Sequence, residues 1–133
     1  MPADLLAWTA GRALVATGSP FAPVPYDGRE IHIGQCNNSF IFPGVGLGVV
    51  ASGARRVTDA MFAAAARVLS EYSPALHDAQ GGALYPALEQ VRDVSKSVAI
   101  AVGAEAQKSG LAPVTNEDAL ARNISQKMWQ LEY

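Results

Sequence analysis

The chain has 133 residues, half of them hydrophobic and 17% charged, which fits one ordinary folded unit and excludes disordered and collagen-like compositions. Its net charge is −2 and its ten basic residues are scattered, with only Arg55 and Arg56 adjacent, so it lacks the basic footprint of a nucleic-acid binder. The single Cys36 excludes an internal disulfide and a CxxC metal site, and the longest apolar run, Phe40 to Ala54, falls short of the roughly 18 residues of a membrane span and is broken by Pro43 and four glycines.

At the start, Met1 to Asp4 lacks the basic and apolar regions of a signal peptide, and the expected location is the cytoplasm. Pro2, Asp4, Leu5, Leu6 and Trp8 predict a short helix ending near Gly11, because proline and an acid are favoured in a first turn. Ala13, Leu14, Val15 and Ala16 then form a compact apolar run between turn residues, the pattern of a short buried strand in a parallel sheet. A turn-rich stretch follows from Thr17 to Gly34, with Asp27-Gly28 as a two-residue hairpin signal and Ile31 and Ile33 alternating with polar neighbours. A polar patch, Gln35 to Ser39, returns the chain to the body.

Pro43 opens a predicted helix through Val45, Leu47, Val49 and Val50, whose glycines leave a smooth side for close packing. Thr58 reads as the cap of the next helix, which carries Met61, Phe62, Ala65, Val68, Leu69 and Tyr72 at three- and four-residue spacing and stops at Ser73-Pro74. Residues 75–83 read as a loop, loosest at Gly81-Gly82. Leu88, Val91, Val94, Val98, Ala99, Val102 and Ala106 predict a further helix with Gly110 at its left-handed cap, and Thr115 or Asn116 caps a last helix through Leu120, Ile124 and Met128. One strand followed mainly by helices cannot make a sheet, so the chain reads as a piece of a larger α/β fold.

Three segments, Ala13-Leu-Val-Ala-Thr-Gly-Ser-Pro-Phe21, Gly34-Gln-Cys-Asn-Asn-Ser-Phe-Ile-Phe-Pro-Gly-Val-Gly-Leu-Gly48 and Met128-Trp-Gln-Leu-Glu-Tyr133, resemble in order and spacing the C-terminal region of the malic enzymes. Thr58-Asp59 and Leu84-Tyr85-Pro86 share that likeness. The resemblance implies a C-terminal fragment of a doubly wound, Rossmann-like NAD(P)-binding domain over 1–110 and a helical tail over 111–133. It implies oxidative decarboxylation of malate to pyruvate and carbon dioxide, with NAD or NADP taking the hydride and Mg2+ or Mn2+ polarising the substrate. The family's metal-binding acids and its acid-base tyrosine and lysine lie upstream of the matched region. None maps onto Tyr26, Tyr72, Tyr85, Tyr133, Lys96, Lys108 or Lys127, so no catalytic or metal-ligating residue is expected here. The expected partners are malate or pyruvate, NAD(P) and the remainder of a malic enzyme, in a homo-oligomer.

Asn37 and Asn38 match the family's asparagine pair, which implies contact with the malate carboxylate and, for Asn38, with the nicotinamide side as well. A carboxamide supplies donors and an acceptor without adding charge. Without the resemblance, the same pair reads as a turn or a helix cap. Thr17, Gly18 and Ser19 follow the strand, where ligands bind in open α/β sheets, and are expected to line the cofactor cleft. Gly44-x-Gly46-x-Gly48 lacks the spacing of a nucleotide loop and reads as a packing face. His32 and His77 are isolated and expected at the surface, Cys36 is expected to serve packing, and Ser19 lacks a nucleophile context. Trp129 and Tyr133 fit either an oligomer contact or a clamp on the last helix. The competing functional reading is an assembly module without catalytic duty, self-associating through an unpaired strand edge.

Overall fold

Pro2, whose missing N–H costs nothing at a first helical position, starts α1 (Pro2–Trp8) in the computed structural model, which describes residues 1–77 and 82–130. After α1 come β1 (Ala16–Thr17), β2 (Val24–Tyr26), β3 (Arg29–Ile31) and β4 (Gly34–Gln35). The helices that follow are α2 (Phe42–Ser52), α3 (Asp59–Glu71), α4 (Val91–Lys108) and α5 (Glu117–Lys127). The fold is thus mixed α/β and mostly helical. It divides into two compact units, Met1–Asn37 with Glu71–Leu88, and Asn38–Ser70 with Glu89–Tyr133.

The first unit holds both sheets. β2 and β3 pair antiparallel with Tyr26 opposite Arg29, and Asp27 (φ 50°) and Gly28 (φ 73°) between them both take positive φ, as a type I′ turn demands. The hairpin expected at Asp27-Gly28 is present. β1 pairs parallel with β4, Ala16 opposite Gly34 and Thr17 opposite Gln35. This corrects the reading of a single strand whose neighbours all lie elsewhere, and it moves the strand toward the end of the apolar run. Val15 is buried, but Leu14 is 54% exposed, because among the described residues β1 has a neighbour on one side only. Gly34-Gln35 escaped the sequence reading since two residues carry no alternation.

In the second unit, α2 lies against α4. A Cβ on Gly44 would stand 2.8 Å from the Ser95 carbonyl oxygen and 2.6 Å from Val98 Cγ1, and one on Gly48 would stand 2.7 Å from the Ala99 carbonyl oxygen. Gly46, on the opposite side, would meet nothing within 4 Å. The smooth glycine face read from the sequence is therefore the α4 contact. Ala51, Ala99, Leu120 and Ile124 form the core joining α2, α4 and α5, with Leu47 and Ile100 packed on it. The Asn116 carboxamide caps α5 by accepting from the Ala119 N–H at 2.7 Å, and Gly110 follows α4 at φ 68°. Asn123 Nδ2 donates to the Ala51 carbonyl, and the Arg55 guanidinium donates to the Gly110 carbonyl at 2.8 Å.

Other expectations shift in detail. α3 buries Met61, Ala64 and Ala65, whereas Phe62 is 45% exposed because it stands beside that stripe. Thr58 holds the cap position through its carbonyl, which accepts from the Met61 and Phe62 N–H groups, while its buried hydroxyl has no partner among the described residues. Leu88 is exposed because it sits in the 3-10 turn Leu88–Gln90, ahead of the α4 register. Gly82 is not loose: a Cβ there would lie 2.9 Å from the Pro74 carbonyl group, while Gly81 lies outside the described residues. Trp129 is 68% exposed, and its carbonyl accepts from Arg92 at 2.9 Å; Tyr133 lies outside the described residues. No helix among the described residues is long and apolar enough to cross a membrane.

The two glycine faces of α2 should respond oppositely to a methyl group. Gly46→Ala is expected to raise the unfolding free energy of the full chain by roughly 0.5–1 kcal/mol, by removing a helix-interior glycine. Gly48→Ala is expected to lower it by about 1–2 kcal/mol, because overpacking against a neighbouring backbone outweighs that gain. Urea denaturation of the two variants decides, and shifts of the same sign would refute the close-contact account.

Candidate functional site

In the first unit the parallel register sets two chain exits side by side. Thr17, Gly18 and Ser19 leave the carboxyl end of β1, and Cys36 and Asn37 leave that of β4. The Cys36 N–H donates to the Thr17 carbonyl at 2.8 Å, extending the ladder one step beyond the strands. Thr17 Oγ1 donates to the Ser19 carbonyl at 2.7 Å and closes a tight turn, in which Gly18 has open space where a Cβ would stand. Gly18 and Ser19 are exposed, and Asn37 is half-buried. Four of the five expected contact residues, Thr17, Gly18, Ser19 and Asn37, are thus brought to one end of a parallel pair, the place where open α/β sheets bind ligands. Asn38 is the next residue in the chain, is exposed, and opens the 3-10 turn Asn38–Phe40 of the second unit, its carbonyl accepting from the Ile41 N–H at 3.0 Å.

The residue that sequence reasoning missed at this end is Tyr85. A Cβ on Gly34 would lie 3.3 Å from the Tyr85 nitrogen and 3.4 Å from that of Leu84, so the 84–85 backbone rests directly on β4. Buried Ser73 fixes that segment by donating to the Leu84 carbonyl at 2.7 Å, and the Ala75 N–H donates to the Ala83 carbonyl at 3.2 Å. The Cys36 thiol donates to Tyr85 Oη at 3.2 Å. Cys36 is therefore exposed and hydrogen-bonded, where packing was expected, because the strand ends at the surface. The only sequence signal for Tyr85 was its place in the Leu84-Tyr85-Pro86 likeness.

The hydrogen bond with Cys36 is the main cause that raises the Tyr85 phenol above its ordinary value near 10, followed by burial and by charge on Cys36. A negatively charged Cys36 sulfur would accept a hydrogen bond from the phenol O–H and repel a phenolate, so the neutral phenol is favoured in the folded chain. A raised folded value contributes stability that is present below about pH 10 and lost as pH rises through the Tyr85 transition. Ultraviolet titration of the phenols should show one group ionising above the others' ordinary range, and Cys36→Ala should return it toward that range; an unchanged titration would show that burial alone sets it.

The described residues contain no group of three or more His, Cys, Asp or Glu able to hold a metal ion. His32 and His77 are exposed, as expected, and His77 Nε2 lies 3.2 Å from the Glu71 carbonyl oxygen. The site is neutral and polar: hydroxyls, carboxamides and backbone at two strand ends. It can hold and orient a ligand but offers no carboxylate set for a cation.

Comparison with known proteins gives the context. The model of the family described as malic enzyme, NAD binding domain, matches residues 1–107. An NAD-dependent malic enzyme of Sodalis glossinidius is 53% identical over 132 residues, 99% of this chain and 23% of that protein. One of Pseudomonas savastanoi is 54% identical over 128 residues, 96% of this chain and 23% of that protein. Among solved structures, a malic enzyme from Pyrococcus horikoshii aligns with a TM-score of 0.68 at 26% identity, covering 95% of this chain and 26% of that one. The malic enzyme of Entamoeba histolytica aligns at 0.65 and 26% identity, covering 89% of this chain and 23% of that one. The chain thus spans about a quarter of the length of the relatives it matches. Family model, sequence and fold converge, and the chain belongs to the malic enzyme family, its residues 1–107 matching the NAD-binding domain.

Proposed function

We propose that this chain supplies the C-terminal part of the NAD-binding domain, and the helical tail, of a cytoplasmic NAD-dependent malic enzyme that converts malate to pyruvate and carbon dioxide. The observation that carries the reading is the parallel β1–β4 pair, whose carboxyl ends bring Thr17, Gly18 and Ser19 beside Cys36 and Asn37. In this reading Thr17, Gly18 and Ser19 line the cofactor cleft. Asn37 and Asn38 hold the malate carboxylate, and Asn38 also reaches the nicotinamide side. NAD, when bound, accepts the hydride. The chain's own groups bind and orient: the carboxamides offer donors to a carboxylate and an acceptor to an amide, without placing a charge beside the reacting carbon.

The described residues do not fit the divalent metal that the family likeness implies, since they gather no group of three or more His, Cys, Asp or Glu. The groups that hold it and move the proton belong, in this reading, to the upstream remainder of the enzyme. The chain by itself is therefore inactive.

A second reading, a non-catalytic assembly module, draws on the one-sided pairing of β1 among the described residues and the exposure of Leu14 and Trp129. Unpaired strand edges recruit other strands. The exposed edge predicts self-association of the isolated chain, which size-exclusion chromatography reads directly, and a clean folded monomer would argue against that edge.

The chain alone, mixed with malate, Mn2+ and NAD, is expected to yield no absorbance of reduced nicotinamide. Adding the upstream portion of the parent in trans is expected to restore it. In the restored enzyme Asn38→Ala should reduce kcat/KM for malate by about 10- to 100-fold, the scale of one lost hydrogen bond to a charged group. Turnover that scales with the isolated chain would overturn the division of labour, and folded components without turnover on mixing would favour the assembly module.

A further inference from the structure

We propose that Tyr85 is a positioning residue of the ligand pocket, holding Cys36, and through it Asn37 and the β1 exit, in the arrangement that binds malate and NAD. The inference rests on the malic enzyme reading for its ligands, but not for its geometry.

Cys36 is a junction. Its N–H donates to the Thr17 carbonyl at 2.8 Å, its thiol donates to Tyr85 Oη at 3.2 Å, and its carbonyl carbon begins the peptide bond to Asn37. The β1–β4 ladder that leads to it has only two residue pairs, too few to fix the ends of both strands without outside help. Outside help comes from residues 73–76 and 82–86. Ser73, 6% exposed, holds the Leu84 carbonyl, and the absence of a side chain on Gly34 lets the Tyr85 nitrogen come within 3.3 Å of where a Cβ would stand. The backbone of Tyr85 therefore bears on the start of β4, and its phenol bears on the residue just past the end. One residue, by its backbone and its phenol, thus bears on both ends of the short strand that delivers Asn37.

A residue that merely stabilised the fold would change the melting temperature and leave the ligand contacts of the surviving folded molecules intact. A positioning residue changes the contacts themselves. Removing the phenol oxygen takes from Cys36 the side-chain bond that supports its backbone bond to Thr17, so the Cys36–Asn37 backbone opens more often, and the pocket it shapes binds more weakly.

Two readouts test this with Tyr85→Phe, Cys36→Val, the double variant and Cys36→Ser. In the full chain, the amide hydrogen of Cys36 should exchange about fivefold faster in Tyr85→Phe and in Cys36→Val, the scale of one ordinary hydrogen bond. The double variant should be no faster than either single one, and Cys36→Ser, whose hydroxyl can donate to the same phenol, should exchange at the original rate. In the enzyme completed with its upstream portion, the same variants should raise the KM for malate about three- to tenfold, with Cys36→Ser unchanged. Additive effects of the two single variants, unchanged exchange, or a KM that stays fixed while only the melting temperature falls would each overturn the proposal. If the completed unsubstituted enzyme shows no turnover, the malic enzyme reading falls, and the exchange measurement still decides whether Tyr85 holds the junction.

Discussion

Two helix backbones can touch only where no side chain stands between them, and the packing of the second unit depends on α2 meeting that condition at two successive turns. Gly44 and Gly48 lie four residues apart on one face, and each would drive a Cβ to within 3 Å of α4. The approach leaves Val98, Ala99 and Val102 of α4 fully enclosed. It also sets the width of the groove that α5 fills. Leu120 and Ile124 enter that groove, and Gly103 of α4 makes room for Leu120, a Cβ there standing 3.0 Å from its Cδ1. With larger residues at 44 and 48, α4 would stand off, and the small core of Ala51, Ala99, Leu120 and Ile124 would lose its packing on both sides.

The first unit solves a different problem. A parallel pair of two residues per strand gains little from its own hydrogen bonds, yet the residues that follow it must be held closely if they are to bind a small anion. The fold supplies the missing constraint from far along the sequence. Residues 73–76 and 82–86 are joined to one another by the Ser73–Leu84 and Ala75–Ala83 bonds, and the second segment lies on β4 where Gly34 admits it. The strand is thus gripped across its face as well as along its edge.

Features that depend on neighbouring residues were legible in the sequence. Asp27-Gly28 specifies its turn because both positions need positive φ, Pro43 opens a helix, Asn116 caps one, and Gly110 ends one. The helical periodicities located α3, α4 and α5, with errors at Phe62 and Leu88 where the apolar residue stood beside the stripe or ahead of the helix. The position of Thr17, Gly18 and Ser19 at a strand end was legible from the apolar run before them, while the asparagines were singled out by family likeness alone. What stayed hidden depends on distant contacts. Gly34-Gln35 becomes a strand only by lying beside Ala16-Thr17, and the partnership of Cys36 with Tyr85 spans 49 residues without a local pattern.

The residues at the strand ends suit orienting work better than proton transfer. Hydroxyls, carboxamides and backbone amides orient a ligand at fixed charge over the whole working pH range, whereas the proton-moving groups of an active site must change charge. Groups of fixed charge on a short, gripped strand keep their geometry when a neighbour ionises. Tyr85 fits this pattern. Its phenol stays neutral into alkaline pH, so it keeps the form that bonds to Cys36 across the neutral range. A neutral phenol keeps the O–H and oxygen with which it can hold a neighbour in place.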